Sequence, residues 1–413
     1  MRGARCKMPP YLILAYRNVV RQRRRSIFSV LVVGFGVAAL LLATGFIEWN
    51  LSYGRESTIR SQLGHIRVVR PGYLDDGLAN PFAYLLPANS DDFATLEKQP
   101  HVRALAPRLA FNGLISLGDS TIPFIGEGVD PGKEVSLSES VRITAGNELS
   151  GGDSRGIIVG QGLAANLGLK VGDTVVLMAS TASGSISGVE GQVRGLFATI
   201  TKAYDDTALR VPLAMAQQLL RVRGAHSWLV LLDDTDNTDE VLHTLRREFS
   251  GKPLEFVPWT ALADFYNKTA ALFEKQVNVI KIVIASIIIL SISNTLMMSV
   301  FERTGEIGTS MALGTRRSET LRMFMAEGIL LGAFGSAGGL LFGSALAAVI
   351  SLIGIPMPAG PGMAHGFTAG ITITWRHALE AFVIGFTTTL CAGAYPAWRA
   401  SRIAIVDALR HNR

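Results

Sequence analysis

The chain is poor in cysteine and in charge. Among 413 residues only Cys6 and Cys391 are cysteines, so the large segment between them must fold without disulfide bonds. Charged residues make up 17% of the sequence and hydrophobic residues 48%, which is low in charge for a soluble protein. Four runs have no Asp, Glu, Lys or Arg, and each is long enough to cross a bilayer as a helix: 27–47, 282–301, 328–355 and 381–398.

Signatures of catalysis and cofactor binding are also missing. The nearest match to a phosphate-binding loop, at 127–134, lacks its first glycine and its final hydroxyl residue. The histidines form neither an HExxH motif nor a Cys/His cluster, which argues against a zinc site. The four apolar runs contain no Asp, Glu, Lys, Arg or His, whereas ion-coupled transporters place such groups near the membrane midplane. We therefore expect no cofactor, no enzymatic activity and an energy source outside this chain.

Arginine is abundant, but it is confined to particular flanks of the apolar runs. Eight basic residues and no acidic residue precede the first run, and further arginines occupy 301–328 and 399–413. By the positive-inside rule, both termini and the short charged segment face the cytoplasm, and residues from about 49 to 275 lie outside. Because these arginines account for most of the net charge of +6, a nucleic-acid partner is not expected.

The sequence therefore predicts a membrane α-helical protein with four transmembrane helices. A large extracytoplasmic α+β domain is inserted between helices 1 and 2. The predicted order is a cytoplasmic interfacial helix at 1–25, transmembrane helix 1 at 26–48, the α+β domain with a stalk helix at each end at 49–275, transmembrane helix 2 at 276–301, a cytoplasmic coupling loop at 302–327, transmembrane helix 3 at 328–355, a short outer loop at 356–377, transmembrane helix 4 at 378–398 and a cytoplasmic tail at 399–413.

Within the inserted domain, short β-rich runs alternate with helical patterns. Strands are predicted at 65–70, 113–117, 156–159, 174–178, 193–197 and 228–232, and helices at 90–98, 161–167, 213–221 and 238–249. We interpret this as an α+β domain in two lobes, with the Gly/Ser-rich run 180–191 as an exposed mobile loop. Residues 48–63 and 260–281 continue the first two transmembrane helices outward and would form a stalk.

Two further patterns mark candidate sites. Gly335, Gly339 and Gly343 recur every four residues in the third apolar run, a small-residue face that lets membrane helices pack closely. Residues 301–328 form a short, charged, glycine-containing segment between two membrane spans on the cytoplasmic side. A segment of that kind suggests a docking surface for a soluble partner. Its candidate contact residues are Glu302, Arg303, Glu306, Ile307, Gly308, Leu313, Gly314, Arg316 and Arg317.

The same segment resembles the E-R-x-x-E-I-G-x-x-x-A-L-G-x-x-R loop of FtsX/MacB-like ABC transporter permeases. Residues 395–402 and 407–410 are similar to the closing pattern of that family, and 64–67 with 70–73 resemble its LolC/LolE-like lipoprotein-release branch. Residues 306–308 with 311–314 are more similar to the MacB branch. The family commonly has proline where Ile405 stands and a basic residue where Gly305 stands.

This resemblance implies a permease subunit of the bacterial inner membrane, with both termini cytoplasmic. The implied partners are a separate cytoplasmic ABC ATPase that binds ATP and Mg, a second permease subunit, a periplasmic carrier or adaptor, and membrane lipid. Movement of the ATPase would reach the periplasmic domain through the stalk and would drive lipoprotein or amphiphile export. The alternatives are MacB-like efflux of drugs or peptides, FtsX-like signalling to a cell-wall hydrolase, and a membrane-anchored structural protein.

Overall fold

Most of the chain is described by a computed structural model, which covers residues 10–77, 79–359 and 362–403. The helices are α1 Pro10–Arg21, α2 Arg23–Thr58, α3 Tyr73–Asp76, α4 Asp91–Glu97, α5 Pro131–Leu137, α6 Gln161–Leu167, α7 Lys202–Asp205, α8 Leu213–Leu220, α9 Thr238–Glu248, α10 Trp259–Leu262, α11 Asp264–Glu302, α12 Thr304–Ala312, α13 Arg317–Ile353 and α14 Trp375–Ser401. A π-helical turn, Ile59–Leu63, follows α2, and two 3₁₀ turns occur at Pro81–Tyr84 and Thr235–Asn237.

The strands are β1 Ile66–Val69, β2 Val102–Leu117, β3 Ser120–Val129, β4 Arg142–Gly146, β5 Gly156–Gly160, β6 Thr174–Ser180, β7 Ile186–Ala198, β8 Ala208–Pro212, β9 Ser227–Leu232, β10 Glu255–Pro258, β11 Ile355–Met357 and β12 Phe367–Ala369. The described residues fold into two compact units. A helical unit comprises Met1–Leu51, Ala270–Ile355 and Thr368–Arg413, and an inserted domain comprises Ser52–Thr269 and Pro356–Phe367.

The helical unit contains four helices long and apolar enough to span a membrane, α2, α11, α13 and α14. Helix α11 is 39 residues long and contains neither proline nor glycine, the two residues that most disfavour a helix interior. Helix α14 continues to Ser401 although it contains Pro396. Of the predicted interfacial helix, residues 10–21 form α1, whereas Arg23–Arg25 already belong to α2. Residues 1–9 and the motif at 407–410 lie outside the described residues. The predicted division of the chain into spans and loops stays a prediction.

The inserted domain is built on one ten-stranded mixed sheet. The strand order is β10-β1-β9-β2-β3-β8-β5-β7-β4, and β6 pairs with both β2 and β7. All residues of β5, β8 and β9 are buried, which is typical of strands covered on both faces. The buried side chains form separate hydrophobic clusters: one lies around Leu109, Phe111 and Leu219, and another around Trp228, Leu96 and Leu245. Two further clusters lie in the same domain, around Trp259 and around Phe197, so one continuous sheet carries several cores and the division into two lobes stays a prediction.

The prediction that 180–191 is a mobile loop is wrong. Strand β6 extends to Ser180 and β7 begins at Ile186, so only a tight turn around Gly184, with φ of +80°, separates them. Gly191 in this run serves the packing of the strand. A Cβ atom there would lie 2.4 Å from Cδ1 of Ile157 on the neighbouring strand, so a larger residue would require that side chain to move.

Two buried histidines make the inserted domain sensitive to acid. His65 and His226 are 0% and 1% exposed, and burial lowers the pKa of each to about 4. Their pKa values in the folded state lie below the ordinary value near 6.5, so protons bind preferentially to the unfolded state. The stabilisation is complete above pH 6.5 and is lost as the pH falls toward 4.

We predict that the thermal midpoint of the domain falls between pH 6.5 and 4, with each histidine contributing up to about 1.4 kcal/mol per pH unit. Thermal unfolding of the detergent-solubilised protein across this range measures the slope. His226→Gln should reduce the slope, whereas the same change at the exposed His243 should leave it unchanged. Equal slopes for these two variants would contradict the assignment.

Candidate docking segment and helix interface

The predicted cytoplasmic loop, residues 302–327, is mostly helical. Helix α11 ends at Glu302, Arg303 adopts a non-helical conformation, and α12 and α13 follow with only a short turn between them. Gly314 makes that turn with φ of +102°, a conformation that L side chains rarely adopt. The Arg316 N–H donates to the Glu319 carboxylate (3.0 Å), which caps the first turn of α13. The segment is therefore a helix–turn–helix and not an irregular loop.

A buried carboxylate ties this segment to the N-terminal helix. Glu327 is 5% exposed and accepts hydrogen bonds from Asn18 Nδ2 (2.8 Å) and Arg303 Nη1 (3.1 Å). Arg303 also donates to Glu306 through Nε (3.4 Å). Because a buried charge is costly unless it is paired, Glu327 fixes Arg303 at the junction between α11 and α12. The sequence argument overlooked this role of Glu327, although a lone carboxylate one residue before an apolar run is a usable signal.

The acidic candidate residues are paired with the N-terminal arginines. Arg25 forms a bidentate pair with Glu302, with nitrogen–oxygen distances of 2.8 and 2.6 Å. Arg21 Nη1 lies 3.8 Å from Glu306 Oε1. Both pairs are partly exposed, so each is worth about 1 kcal/mol or less. Their effect is to orient the start of α12 against α1 and the start of α2.

The remaining candidates separate into buried and exposed residues. Ile307 and Gly308 are buried on the inner face of α12, where Ile307 belongs to a cluster with Met311 and Phe324. Leu313 is 85% exposed, and Gly314, Arg316 and Arg317 are exposed beside it. Within the described residues, no carboxylate pairs with Arg316 or Arg317. We call residues 312–317 the α12–α13 turn; it presents an apolar side chain and two free cations to solvent.

The glycine face of α13 lies directly against α2. A Cβ atom at Gly339 would lie 2.5 Å from the Gly34 carbonyl oxygen and 2.9 Å from its Cα. At Gly335 it would lie 2.7 Å from Val33 Cβ, and at Gly343 it would lie 3.0 Å from Ala38 Cα. The two backbones approach closely because α13 has glycine at each of these positions and α2 has Gly34 and Ala38 opposite two of them.

Gly339→Ala is expected to destabilise the helical unit by about 1–3 kcal/mol, since the obstructing atoms are backbone atoms that cannot rotate away. Gly338→Ala is a matched control, because nothing lies within 4 Å of a Cβ atom placed at Gly338. Both variants gain the same helix propensity from the change of glycine to alanine. Thermal stability in detergent compares the two variants. A midpoint for Gly339→Ala equal to that of Gly338→Ala would show that the close contact has no energetic importance.

The inserted domain contains a buried ion cluster that the sequence argument missed. Arg108 bonds Glu134 (2.6 and 2.8 Å) and Glu127 (2.8 Å), and Arg210 bonds Glu127 (3.1 Å) and Glu134 (3.2 Å). Burial opposes ionisation of Glu127, but Arg108 and Arg210 outweigh it and lower its pKa. The phenol of Tyr204 donates to Glu127 (2.8 Å), and burial raises its pKa. For Arg108 and Arg210 the sequence signal is a single charge flanked by apolar residues of a strand, whereas Glu134 lies in α5 beside Lys133 and gives no such signal.

This cluster also fastens the end of α2 to the sheet. Arg210 Nη2 donates to the Ser61 carbonyl oxygen (2.5 Å) in the π-helical turn that follows α2. Arg60 in the same turn donates to Glu139 (2.7 Å). Among the residues that the structure describes, no group of three His, Cys, Asp or Glu side chains is arranged to hold a metal ion. The cluster therefore connects structural elements.

The helices, the inserted sheet domain and the segment between α11 and α13 together define a membrane protein with a MacB-like extracytoplasmic domain. Residues 26–248 match the model of the MacB-like periplasmic core domain, and residues 278–405 match that of the FtsX-like permease C-terminal region. The chain belongs to the FtsX/MacB-like family of ABC transporter permeases.

Two relatives align with a large part of the chain. The chain is 25% identical over 67% of its length to a protein described as an uncharacterized ABC transporter permease from Methanocaldococcus jannaschii, of which it covers 68%. It is 24% identical over 96% of its length to the macrolide export ATP-binding/permease protein MacB of Escherichia coli K12. The chain spans 60% of the length of that MacB protein.

Solved structures with similarity to the chain are those of extracytoplasmic domains. The periplasmic region of MacB from Actinobacillus actinomycetemcomitans aligns over 51% of this chain and 95% of its own length, with 14% identity and a TM-score of 0.36. The extracellular domain of the ABC-type transporter YknZ from Gram-positive bacteria aligns over 46% of this chain and 98% of its own length, with 13% identity and a TM-score of 0.34.

Proposed function

We propose that this chain is the permease subunit of an ABC transporter and that its α12–α13 turn docks onto a cytoplasmic ATPase. The observation that carries the proposal is the exposure of Leu313 (85%) beside Arg316 and Arg317, which pair with no carboxylate in the part of the chain that the structure describes, on a segment otherwise held by ion pairs. An exposed apolar side chain on a rigid segment, surrounded by charged residues, is typical of an anchor residue in a protein–protein interface. Glu302, Arg303 and Glu306 hold the segment in place, and Leu313, Gly314, Arg316 and Arg317 contact the partner.

Helix α11, which leads into this segment, is suited to carry movement outward. Helix α11 ends one residue before Arg303 and is 39 residues long, which is about 58 Å at ~1.5 Å per residue. A hydrocarbon core is only ~30 Å thick, so α11 extends well beyond it. A displacement at the α12–α13 turn is therefore passed along a continuous helix to the inserted domain. ATP and Mg are bound by the ATPase, and this chain performs no chemistry.

For the membrane arrangement, we propose an inner-membrane location with four spanning helices, both termini in the cytoplasm and the inserted domain in the periplasm. The arginines of the N-terminal region and of α14 support this orientation. In this arrangement the spans and loops have the boundaries predicted from the sequence, and residues 302–327 are the cytoplasmic coupling loop. A second permease subunit and a periplasmic carrier or adaptor complete the proposed assembly.

The transported class is an amphiphile or a lipoprotein. MacB-like efflux of a drug or peptide is a second candidate, which is favoured by the alignment of 96% of the chain with proteins named for macrolide export. Signalling to a cell-wall hydrolase is the third. Analysis of the lipid, peptide or lipoprotein retained by the purified complex separates the first two, and transport without hydrolase activation excludes the third.

The test of the proposed function is purification of the tagged full-length protein from its own membranes in a mild detergent. We expect an ABC ATPase to co-purify and the complex to hydrolyse MgATP. A protein that purifies without an ATPase and still transports substrate would contradict the proposal.

A further inference from the structure

A cleft of about 550 Å³ opens on the inserted domain beside strand β2. Its floor is formed by Ala110, Phe111 and Asn112 of β2. Its wall is formed by the segment between β1 and α4, which contributes Tyr73 and Phe82. Clefts that bind small molecules typically measure roughly 300–1,000 Å³ and have mainly apolar walls, so this one has the size and character of a ligand site.

The cleft exists because the sheet has a gap at this point. On one side of β2, pairing with β9 ends at Arg108, and pairing with β6 begins at Gly113. Between these two residues, β2 has β3 on its other side and no second neighbour among the described strands. The four residues 109–112 therefore form an open floor for a compact molecule.

The aromatic wall is held in place before any ligand arrives. His226 is 1% exposed and stacks on the Tyr73 ring, with centroids 5.6 Å apart and ring planes 18° apart. The Phe82 ring lies 6.1 Å from the same imidazole. Gly72, with φ of +83°, begins the single turn of α3 that carries Tyr73. A wall fixed in this way loses little conformational entropy on binding.

We propose that this cleft binds one small amphiphile with a rigid apolar or aromatic body. The body lies against Tyr73, Phe82 and Ala110, and the polar group points to the exposed side chains of Asn112 and Ser180 at the rim. In this proposal the cleft is where a transported substrate first contacts the inserted domain, and that role rests on the proposed permease function. Binding itself requires neither the ATPase nor nucleotide.

The experiment is a titration of the full-length protein in lipid nanodiscs with N-phenyl-1-naphthylamine, an uncharged aromatic probe, without ATPase or nucleotide. Ala110→Trp fills the cleft from its floor. Ala145→Trp is the matched control, because Ala145 is also an exposed strand residue but lies on β4, outside the cleft. Because all variants are embedded in the same lipid, their difference removes the signal of probe dissolved in the bilayer.

We expect saturable binding at one site per chain for the wild type and for Ala145→Trp, and at least tenfold weaker binding for Ala110→Trp. If circular dichroism shows that Ala110→Trp does not fold, the same titration is made with Asn112→Trp, which fills the cleft at its rim. Wild-type affinity in a folded plug variant, or no saturable binding in the wild type, overturns the proposal. Failure to bind an ATPase, by contrast, contradicts the permease function and leaves the cleft standing.

Discussion

Leu313→Glu is expected to abolish productive association with the ATPase while leaving the protein folded in the membrane. The side chain is 85% exposed, so its replacement disturbs no internal contact. If Leu313 is the apolar anchor of the interface, burying a carboxylate in its place costs at least about 2 kcal/mol, or roughly 30-fold in affinity. Co-purification and the rate of permease-dependent ATP hydrolysis should both fall.

The matched control for this variant is Ile186→Glu. Ile186 is 79% exposed on the inserted domain. The substitution therefore also replaces an exposed apolar side chain with a carboxylate, but at a position far along the chain from the α12–α13 turn. Arg317→Glu should weaken association in the same direction as Leu313→Glu, because it reverses a charge beside the anchor. Unchanged ATPase binding in both turn variants would remove the docking assignment.

Glu134→Gln is expected to destabilise the inserted domain by about 3–5 kcal/mol, because it leaves the two buried cations, Arg108 and Arg210, with a single buried counter-charge, Glu127. The Glu134 carboxylate accepts from both guanidinium groups and from Ser138 Oγ (2.6 Å), and its side chain is 11% exposed. Thermal or denaturant unfolding of the full-length protein, monitored through the β-sheet signal, measures the loss.

Glu139→Gln provides the matched control for the ion cluster. Glu139 also contacts two arginines, Arg60 and Arg103, but its side chain is 37% exposed, so water screens the interaction. The expected loss is about 1 kcal/mol or less. Similar losses for the two variants would show that burial does not set the energy of the cluster.

Much of the fold could be predicted because long apolar runs and regular helical periods are local signals. Helices α2, α11 and α14 include their charge-free runs, and α13 includes all of the third run except Gly354 and Ile355, where β11 begins. Helix α6 begins and ends where the pattern predicted. Strand β3 was missed because it contains Pro123, Gly126 and Gly128, residues that argue against a strand. Its glycines are explained only by tertiary contact: a Cβ atom at Gly126 would lie 2.5 Å from the Phe111 ring.

The candidate site was only partly predictable for a similar reason. Charge and glycine in 301–328 identify the segment, but its sequence does not show which charges are used internally. Glu302 pairs with Arg25 across 277 positions of sequence, and Arg303 pairs with the buried Glu327. Such partners follow from how α1, α11 and α13 pack. Periodicity within any one of these helices does not specify that packing.

The central claim is that ATP-driven movement at the α12–α13 turn reaches the inserted domain through this chain. The most direct measurement places spin labels at Ser120→Cys and Lys275→Cys, with Cys6 and Cys391 replaced by serine, in a complex shown to contain the ATPase. We predict that the distance distribution between the labels changes when the ATPase is trapped with nucleotide, and that Leu313→Glu abolishes the change. Identical distributions with and without nucleotide in the intact complex would contradict the account.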